Sequence, residues 1–223
     1  MSRRKKQVCV IGLGHFGWEL ALSLAHDCEV LAIDRSEDLV NEISDKVHRA
    51  VALDIRDEHA LASVIPEDMD EAIVSMGENL EASILCTLYL KRLKVPIVRV
   101  KALNDDHGVV LRQLGADELI FPERETARRL AARVQNPNVL DFVPLGGDYQ
   151  VVEMKSPDSF SGSSLIELGL RARFNVFVMA VRSADGQQTD FLPGPDFRLK
   201  AGHVLVVIGR EKDLARLQDG ARE

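Results

Sequence analysis

Residues 7–34 read QVCVIGLGHFGWELALSLAHDCEVLAID, and this stretch decides the fold. Val8, Cys9, Val10 and Ile11 form a short apolar run rich in β-branched residues, the pattern of a strand buried on both faces. Gly12, Gly14 and Gly17 follow in the spacing G-x-G-x-x-G. Phe16, Leu20 and Leu24 then repeat at helical spacing, with Ala21 and Ala25 beside them, and a second apolar run over 30–33 ends in Asp34. Each glycine has a physical task. Gly12 permits the tight turn out of the strand, Gly14 lets a phosphate approach the backbone, and Gly17 lets the helix lie close to the sheet. The start of the helix offers that phosphate unpaired N–H groups and a partial positive charge. Asp34, 22 residues after Gly12, stands where a carboxylate accepts from ribose hydroxyls. It would repel a 2′-phosphate, which argues against NADP even with Arg35 next to it.

The alternation continues beyond Asp34. The pattern predicts a polar helix over 37–46 with Leu39 and Ile43 turned inward, a third strand over 48–53 and a short helix capped by Asp57. A fourth strand is expected over 71–75, then a helix over 80–93 with Ile84, Leu85 and Leu88 on one face. A fifth strand over 96–100 precedes a helix over 106–114 that ends at Gly115. A sixth strand over 118–121 leads to a helix opened by Pro122 and Glu123 and running to Val134. This predicts an α/β fold, a doubly wound, Rossmann-like parallel sheet over residues 1–135, with a nucleotide at the carboxyl ends of its strands. The turn-rich Asn136-Pro137-Asn138 breaks the pattern. Residues 141–223 then read as a small α+β domain. Its strands are expected over 150–154, 175–182 and 203–209, with a short helix over 164–168, a hairpin turn at Asp185-Gly186, a loop at Pro193-Gly194-Pro195 and a last helix from Glu211.

The strand ends of the first domain carry the candidate binding residues. His15 either donates to a bound phosphate or faces solvent, with Phe16 beside it. Asp54, followed by Ile55, either reaches an adenine amino group or is a capping or surface carboxylate. Ser75, Met76, Gly77 and Asn79 form the turn after the fourth strand, where Gly77 lets N–H groups face a ligand, although Met76 also suits packing. Lys101 either neutralises distal phosphates or is solvated. Glu123 is either a favourable charge at a helix start or a metal ligand, and one carboxylate alone makes no metal site.

Composition narrows the function classes. The 223 residues carry a net charge of −7, and the pI is near 5.4, which argues against a general nucleic-acid or anionic-membrane binder. No apolar run approaches the length of a membrane span. Cys9, Cys28 and Cys86 lack C-x-x-C spacing and read as reduced packing residues. Catalytic groups are not evident. Neither Tyr89 nor Tyr149 has a lysine four residues on, and G-x-S-x-G, H-E-x-x-H and Walker A sequences do not occur. The reading is therefore a nucleotide switch without enzymatic chemistry. An NAD-dependent oxidoreductase and a cyclic-dinucleotide sensor stand as alternatives.

The motifs VIGLGHFG, LAID, VSMGENLEASILCTLYLK, VRVKA and LRQLGADELIFPE, followed by LIELGLRARFNVFVMAVR and LKAGHVLVVIG, together resemble the regulatory RCK (KTN) proteins of the Trk/Ktr potassium-uptake systems, in order and over nearly the whole chain. The resemblance implies an RCK_N (TrkA-N) domain, an RCK_C (TrkA-C) domain and a cytoplasmic gating subunit. Such a subunit dimerises, assembles into an octameric ring and sits at the inner face of the membrane through a TrkH/KtrB-like potassium channel or transporter. It implies ATP or ADP as the leading ligand and NAD(H) as the alternative. The glycine loop contacts phosphate through Gly12, Gly14, His15, Phe16 and Gly17, Asp34 holds the ribose, Asp54 lies on the adenine side and Lys101 meets the distal phosphates. Glu123 would hold a divalent cation, Mg or Ca, at a dimer interface. Cyclic di-AMP would bind between C-terminal domains near Arg171, Arg173, Phe174 and Asn175. Relatives often carry arginine at the His15 position to hold a terminal phosphate. A histidine is shorter and mostly neutral at pH 7, which weakens the expected discrimination of ATP from ADP.

Overall fold

The computed structural model describes residues 4–76, 79–135 and 138–219. Gly77 and the Asn136-Pro137 part of the expected link lie outside the described residues. Backbone contacts divide the chain into two compact units, one ending at Arg124 and the other beginning at Glu125.

The first unit is built on six parallel strands: β1 (Lys6–Ile11), β2 (Cys28–Asp34), β3 (Arg49–Ala52), β4 (Glu71–Val74), β5 (Ile97–Lys101) and β6 (Glu118–Ile120). They lie in the order β3-β2-β1-β4-β5-β6. The helices between them are α1 (His15–Ala25), α2 (Glu37–Ile43), α3 (Glu58–Val64), α4 (Leu80–Arg92) and α5 (Asp105–Gln113), and α6 (Pro122–Gln135) follows β6. The apolar run in β1 is explained by burial on both faces. Cys9 and Ile11 pack in one core cluster, and Val8 and Val10 pack in the other. The strand order reverses between β1 and β4, which opens a crevice at the carboxyl ends of these two strands. At the opposite end of the sheet the buried Glu71 of β4 is gripped by Lys6 of β1 and Arg99 of β5.

Helical spacing found the inward face of α2 but not that of α4. In α2 Ile43 is buried and Leu39 is half-buried against the same core cluster, joined by the buried Val40, and the α-helix stops at Ile43 before a 3-10 turn, Ser44–Lys46. In α4 the buried face is Ala82, Ser83, Cys86, Thr87 and Leu90, whereas Ile84, Leu85 and Leu88 are half-buried. The small residues let α4 approach the sheet closely and leave the bulkier leucines on its flank.

The second unit holds an antiparallel sheet of β7 (Val139–Gly146), β8 (Tyr149–Lys155), β9 (Phe177–Arg182), β10 (Thr189–Phe191) and β11 (Val204–Arg210), in the order β10-β9-β11-β8-β7. Its helices are α7 (Leu165–Leu168), α8 (Leu170–Phe174) and α9 (Glu211–Asp219). Met154, Leu205, Val207, Leu214 and Leu217 form the centre of its core. A capping box joins Ser164 and Glu167 at the start of α7. The strand expected from residue 175 begins at Phe177. Asn175 instead closes α8 in the left-handed region at φ 56°, where its side chain also donates to Asp213.

Candidate functional site

The polar strand ends of the first unit surround one cavity of about 650 Å³. Its floor is the turn after β1. Gly12 adopts φ 93°, and its N–H donates to the Ile33 carbonyl at 2.8 Å, tying the turn to β2. Gly17 does not line the cavity. A Cβ placed there would stand 1.9 Å from the Gly12 carbonyl oxygen and 2.7 Å from Ser75 Oγ, so the glycine is what brings α1 against the turn. Gly14 is exposed on the cavity, and a Cβ there would meet no atom of the described residues within 4 Å. His15 and Phe16 open α1 beside it.

The start of α1 differs from those of its neighbours. Ser36, Asp57, Asn79 and Asn104 cap α2, α3, α4 and α5 through their side chains, and each of those helices has a carboxylate in its first turn. The residue at the α1 cap is Gly14, with no side-chain cap and no acid in the first turn. The unpaired N–H groups and the positive end of the helix dipole therefore face the cavity.

Asp34 lines the cavity and also builds it. Its Oδ2 accepts from the Leu13 N–H at 2.6 Å and its Oδ1 from the Ser36 N–H at 2.8 Å, so the carboxylate holds the glycine turn and the start of α2 together. Arg35 is exposed at the same rim, and Ile55 is buried against it. Asp54 accepts from the Arg56 backbone N–H and from its guanidinium; the hydrogen bond from that side chain is the chief reason its pKa is lowered to about 2. At the end of β4, Ser75 is buried and its Oγ has no hydrogen-bond partner among the described residues. Met76 is half-buried at the cavity wall, and Asn79 caps α4 by accepting from the Ala82 N–H at 3.0 Å. Lys101, at the end of β5, lies 5.9 Å from the centroid of the Phe16 ring and pairs with Glu123. The hydrogen bond from Lys101 is the main cause that holds the Glu123 carboxyl below the ordinary glutamate value.

Every described residue named from the sequence for the nucleotide site of the first domain, except Gly17, lines this cavity. Arg56, Ser36, Leu39, Leu53 and Ala82 also line it and were missed. Arg56 had a readable signal, a cation two residues past an acid at a strand end. The others follow only from tertiary packing. Glu123 makes no metal centre by itself: its partner is Lys101, and among the described residues no cluster of three or more His, Cys, Asp or Glu could hold a metal. In the second unit, Arg171 lines an apolar pocket of about 300 Å³ with Leu165, Ile166 and Phe177, while Phe174 is buried in the core. The Arg173 guanidinium donates to the Leu168 carbonyl.

A parallel sheet in this order, with a glycine turn and an acid at its switch point, defines the doubly wound, dinucleotide-binding class of α/β domain. Comparison with known proteins makes the assignment more specific. Residues 8–122 match the TrkA-N domain and residues 150–219 the TrkA-C domain, and the chain belongs to this family. It is 37% identical to the Ktr system potassium uptake protein C of Bacillus subtilis (strain 168), over 96% of this chain and 96% of the relative. It is 33% identical to the Ktr system potassium uptake protein A of the same organism, over 97% of each chain. Among solved structures, the fold resembles the GsuK channel bound to NAD, with a TM-score of 0.56 and 20% identity, over all of this chain and 39% of that one. It also resembles GsuK bound to ADP, with a TM-score of 0.52 and 16% identity, over 60% of this chain and 36% of that one.

Proposed function

We propose that the chain is the nucleotide-binding regulatory subunit of a potassium uptake system, acting through ligand-dependent changes of shape rather than through covalent chemistry. The observation that carries the reading is the cavity where the uncapped start of α1, Asp34 and Lys101 meet. The α1 N-terminus is the anion site, the open face of Gly14 admits a phosphate to the backbone, and the unpaired Ser75 hydroxyl is a further donor. Adenosine phosphates are the leading ligands, with NAD(H) as the alternative. The full-length likeness to Ktr potassium uptake proteins and the NAD and ADP held by fold neighbours support a nucleotide ligand, without ranking the two.

In this reading the chain works at the cytoplasmic face beside an integral membrane potassium channel or transporter. Among the described residues no helix is long and apolar enough to cross a membrane, so attachment runs through the partner. Homodimers joined into a ring would transmit the ligand's preference for one shape to the pore, by no more than its differential affinity for the two shapes. Lys101 links the phosphate end of the cavity to Glu123. A divalent cation there would need a second copy's carboxylate or the ligand's own oxygens beside Glu123.

Two measurements test the proposal. Calorimetric titration with ATP, ADP and NADH should give binding that Gly14→Val weakens at least about tenfold, because a branched side chain would occupy the space of the phosphate. Flux through the reconstituted pore complex should then change with the nucleotide added. Flux indifferent to all three nucleotides would refute the gating role.

A further inference from the structure

The second unit has a further cavity, of about 480 Å³, that shares no lining residue with the pocket at Arg171. Its volume falls in the range of roughly 300–1,000 Å³ that suits small molecules. It opens between two segments. The hairpin joining β9 to β10 contributes Ser183, Asp185 and Asp190, and the segment leading into β11 contributes Phe197, Lys200 and His203. The two segments meet where a Cβ on Gly202 would stand 2.9 Å from the Ala184 Cβ.

His203 is fixed in place and is only 8% exposed. Its Nδ1 accepts from the Lys200 N–H at 3.2 Å, its carbonyl accepts from the Ser156 N–H at 2.7 Å, and its ring centroid lies 6.1 Å from that of Phe197. A nitrogen that accepts carries no hydrogen, so the neutral ring keeps its hydrogen on Nε2. Nε2 makes no hydrogen bond among the described residues and is not sealed in the core, so the free edge of the ring meets the cavity. A positioned donor left unanswered by the protein fits an acceptor brought from outside. The charges beside it are of both signs. The Lys200 ammonium has no partner among the described residues, whereas Arg198, which also lines the cavity, is committed to Glu167 and the Gly162 carbonyl. On the hairpin, Asp185 Oδ1 accepts from the Ser183 hydroxyl and from the Gln187 N–H at 3.0 Å, which leaves Oδ2 open. The bond from Ser183 is the main cause that holds the Asp185 carboxyl below the ordinary aspartate value. Among the described residues Asp190 accepts only from Gln188 Nε2, at 3.5 Å.

We propose that this cavity binds a small zwitterion, a free α-amino acid, whose carboxylate is held by His203 Nε2–H and Lys200 and whose ammonium group is held by Asp185 and Asp190. A simple anion would face two uncompensated carboxylates, and a simple cation would face Lys200. A molecule carrying both charges answers both segments, and each contact is a charge-assisted hydrogen bond. The Phe197 ring offers apolar surface to the side chain. The proposal does not depend on the nucleotide reading, because no residue of this cavity lines the one in the first unit.

Equilibrium dialysis of the full chain against each of the twenty protein L-amino acids, radiolabelled, tests the proposal, with propionate and propylamine as probes of one charge each. At least one amino acid should bind with a dissociation constant below about 1 mM, and propionate and propylamine should bind at least about tenfold more weakly. Lys200→Gln and Asp190→Asn, both outside the core, should each weaken amino-acid binding by at least about tenfold, the loss of one charge-assisted hydrogen bond. His203→Asn keeps an acceptor for the Lys200 N–H and removes the donor on the far side of the ring. It should weaken binding at least about fivefold while its melting temperature stays within about 3 °C of wild type. A wild type that binds none of the twenty would overturn the proposal, and so would binding that survives both Lys200→Gln and Asp190→Asn. Propionate or propylamine bound as tightly as the amino acid would overturn the zwitterion as the ligand class.

Discussion

At the scale of single residues, the three glycines of the turn do different work. Gly14 has space around it and an extended backbone at φ −63° and ψ 178°, so alanine fits there. Gly17 has neither freedom, since its missing Cβ is the gap through which α1 meets the Gly12 carbonyl. Gly17→Ala must push backbone against backbone and should cost at least about 2 kcal/mol, whereas Gly14→Ala should stay within about 0.5 kcal/mol of wild type. Urea denaturation measures both. Equal stability of Gly17→Ala and Gly14→Ala would show that α1 can shift freely and that close packing is not the reason for the third glycine. Asp34 also has a double role. It was legible as a ribose acceptor from spacing, but its two bonds to the Leu13 and Ser36 N–H groups appear only in the folded chain.

At the scale of elements, α4 shows how close packing reverses a sequence pattern. Its small face meets the sheet, and the Ser83 Oγ on that face is buried with no partner among the described residues, while Thr87 Oγ1 donates to the Ser83 carbonyl at 2.8 Å. A buried hydroxyl that has given up water and gained nothing destabilises the fold. Ser83→Ala should therefore stabilise the first unit by about 1 kcal/mol in denaturant melts, and any clear loss of stability would contradict that account. The same element marks the limit of what the sequence revealed. The strand–helix alternation of the first unit and the helix caps at Asp57 and Gly115 were readable because they depend on residues within a few positions of each other. The inward face of α4 was not, since periodicity favours bulky apolar residues and cannot register how near a sheet lies. Asn175 was taken for a strand residue because the apolar run from Val176 adjoins it, yet its tolerance of positive φ was the better guide. β7, β10 and α8 were not resolved by pattern. β7 carries Pro144 and a mixed, largely exposed sequence, and β10 is only three residues long. The site was legible wherever a motif fixes a turn. Arg56 carried a local signal, a cation two residues past the acid at a strand end, but only the fold places that pair on the cavity.

At the scale of the molecule, the two units differ in how they couple to pH. Burial pushes the Glu71 carboxyl up, but Lys6 and Arg99 together hold it below the ordinary glutamate value of 4.5. Its pairing stabilises the fold above that value, and this contribution is lost as pH falls through the lower value of the folded state. His107 also lies in the first unit, at the start of α5. Its Nδ1 accepts from the Leu103 N–H, its Nε2 is buried with no partner among the described residues, and burial holds its pKa below the ordinary 6.5. The folded state keeps this ring neutral while the unfolded chain takes up a proton, so stability declines as pH falls from 6.5 toward the folded value. In the second unit, Glu167 and Asp185 are also held low, but both are exposed at the surface, where solvent screening makes such shifts weak levers on stability. The first unit should therefore lose stability before the second as pH falls from 7 to 4. Amide hydrogen exchange by peptide reads each unit separately and should show protection falling in β1, β4 and β5 while β8 and β11 hold. His107→Gln keeps an acceptor for Leu103 and should flatten the first unit's decline just below pH 6.5. Glu71→Gln should cost stability at neutral pH and flatten the decline below 4.5. Parallel loss of protection in both units, with neither variant altering the profile, would remove these two groups as the source of acid sensitivity.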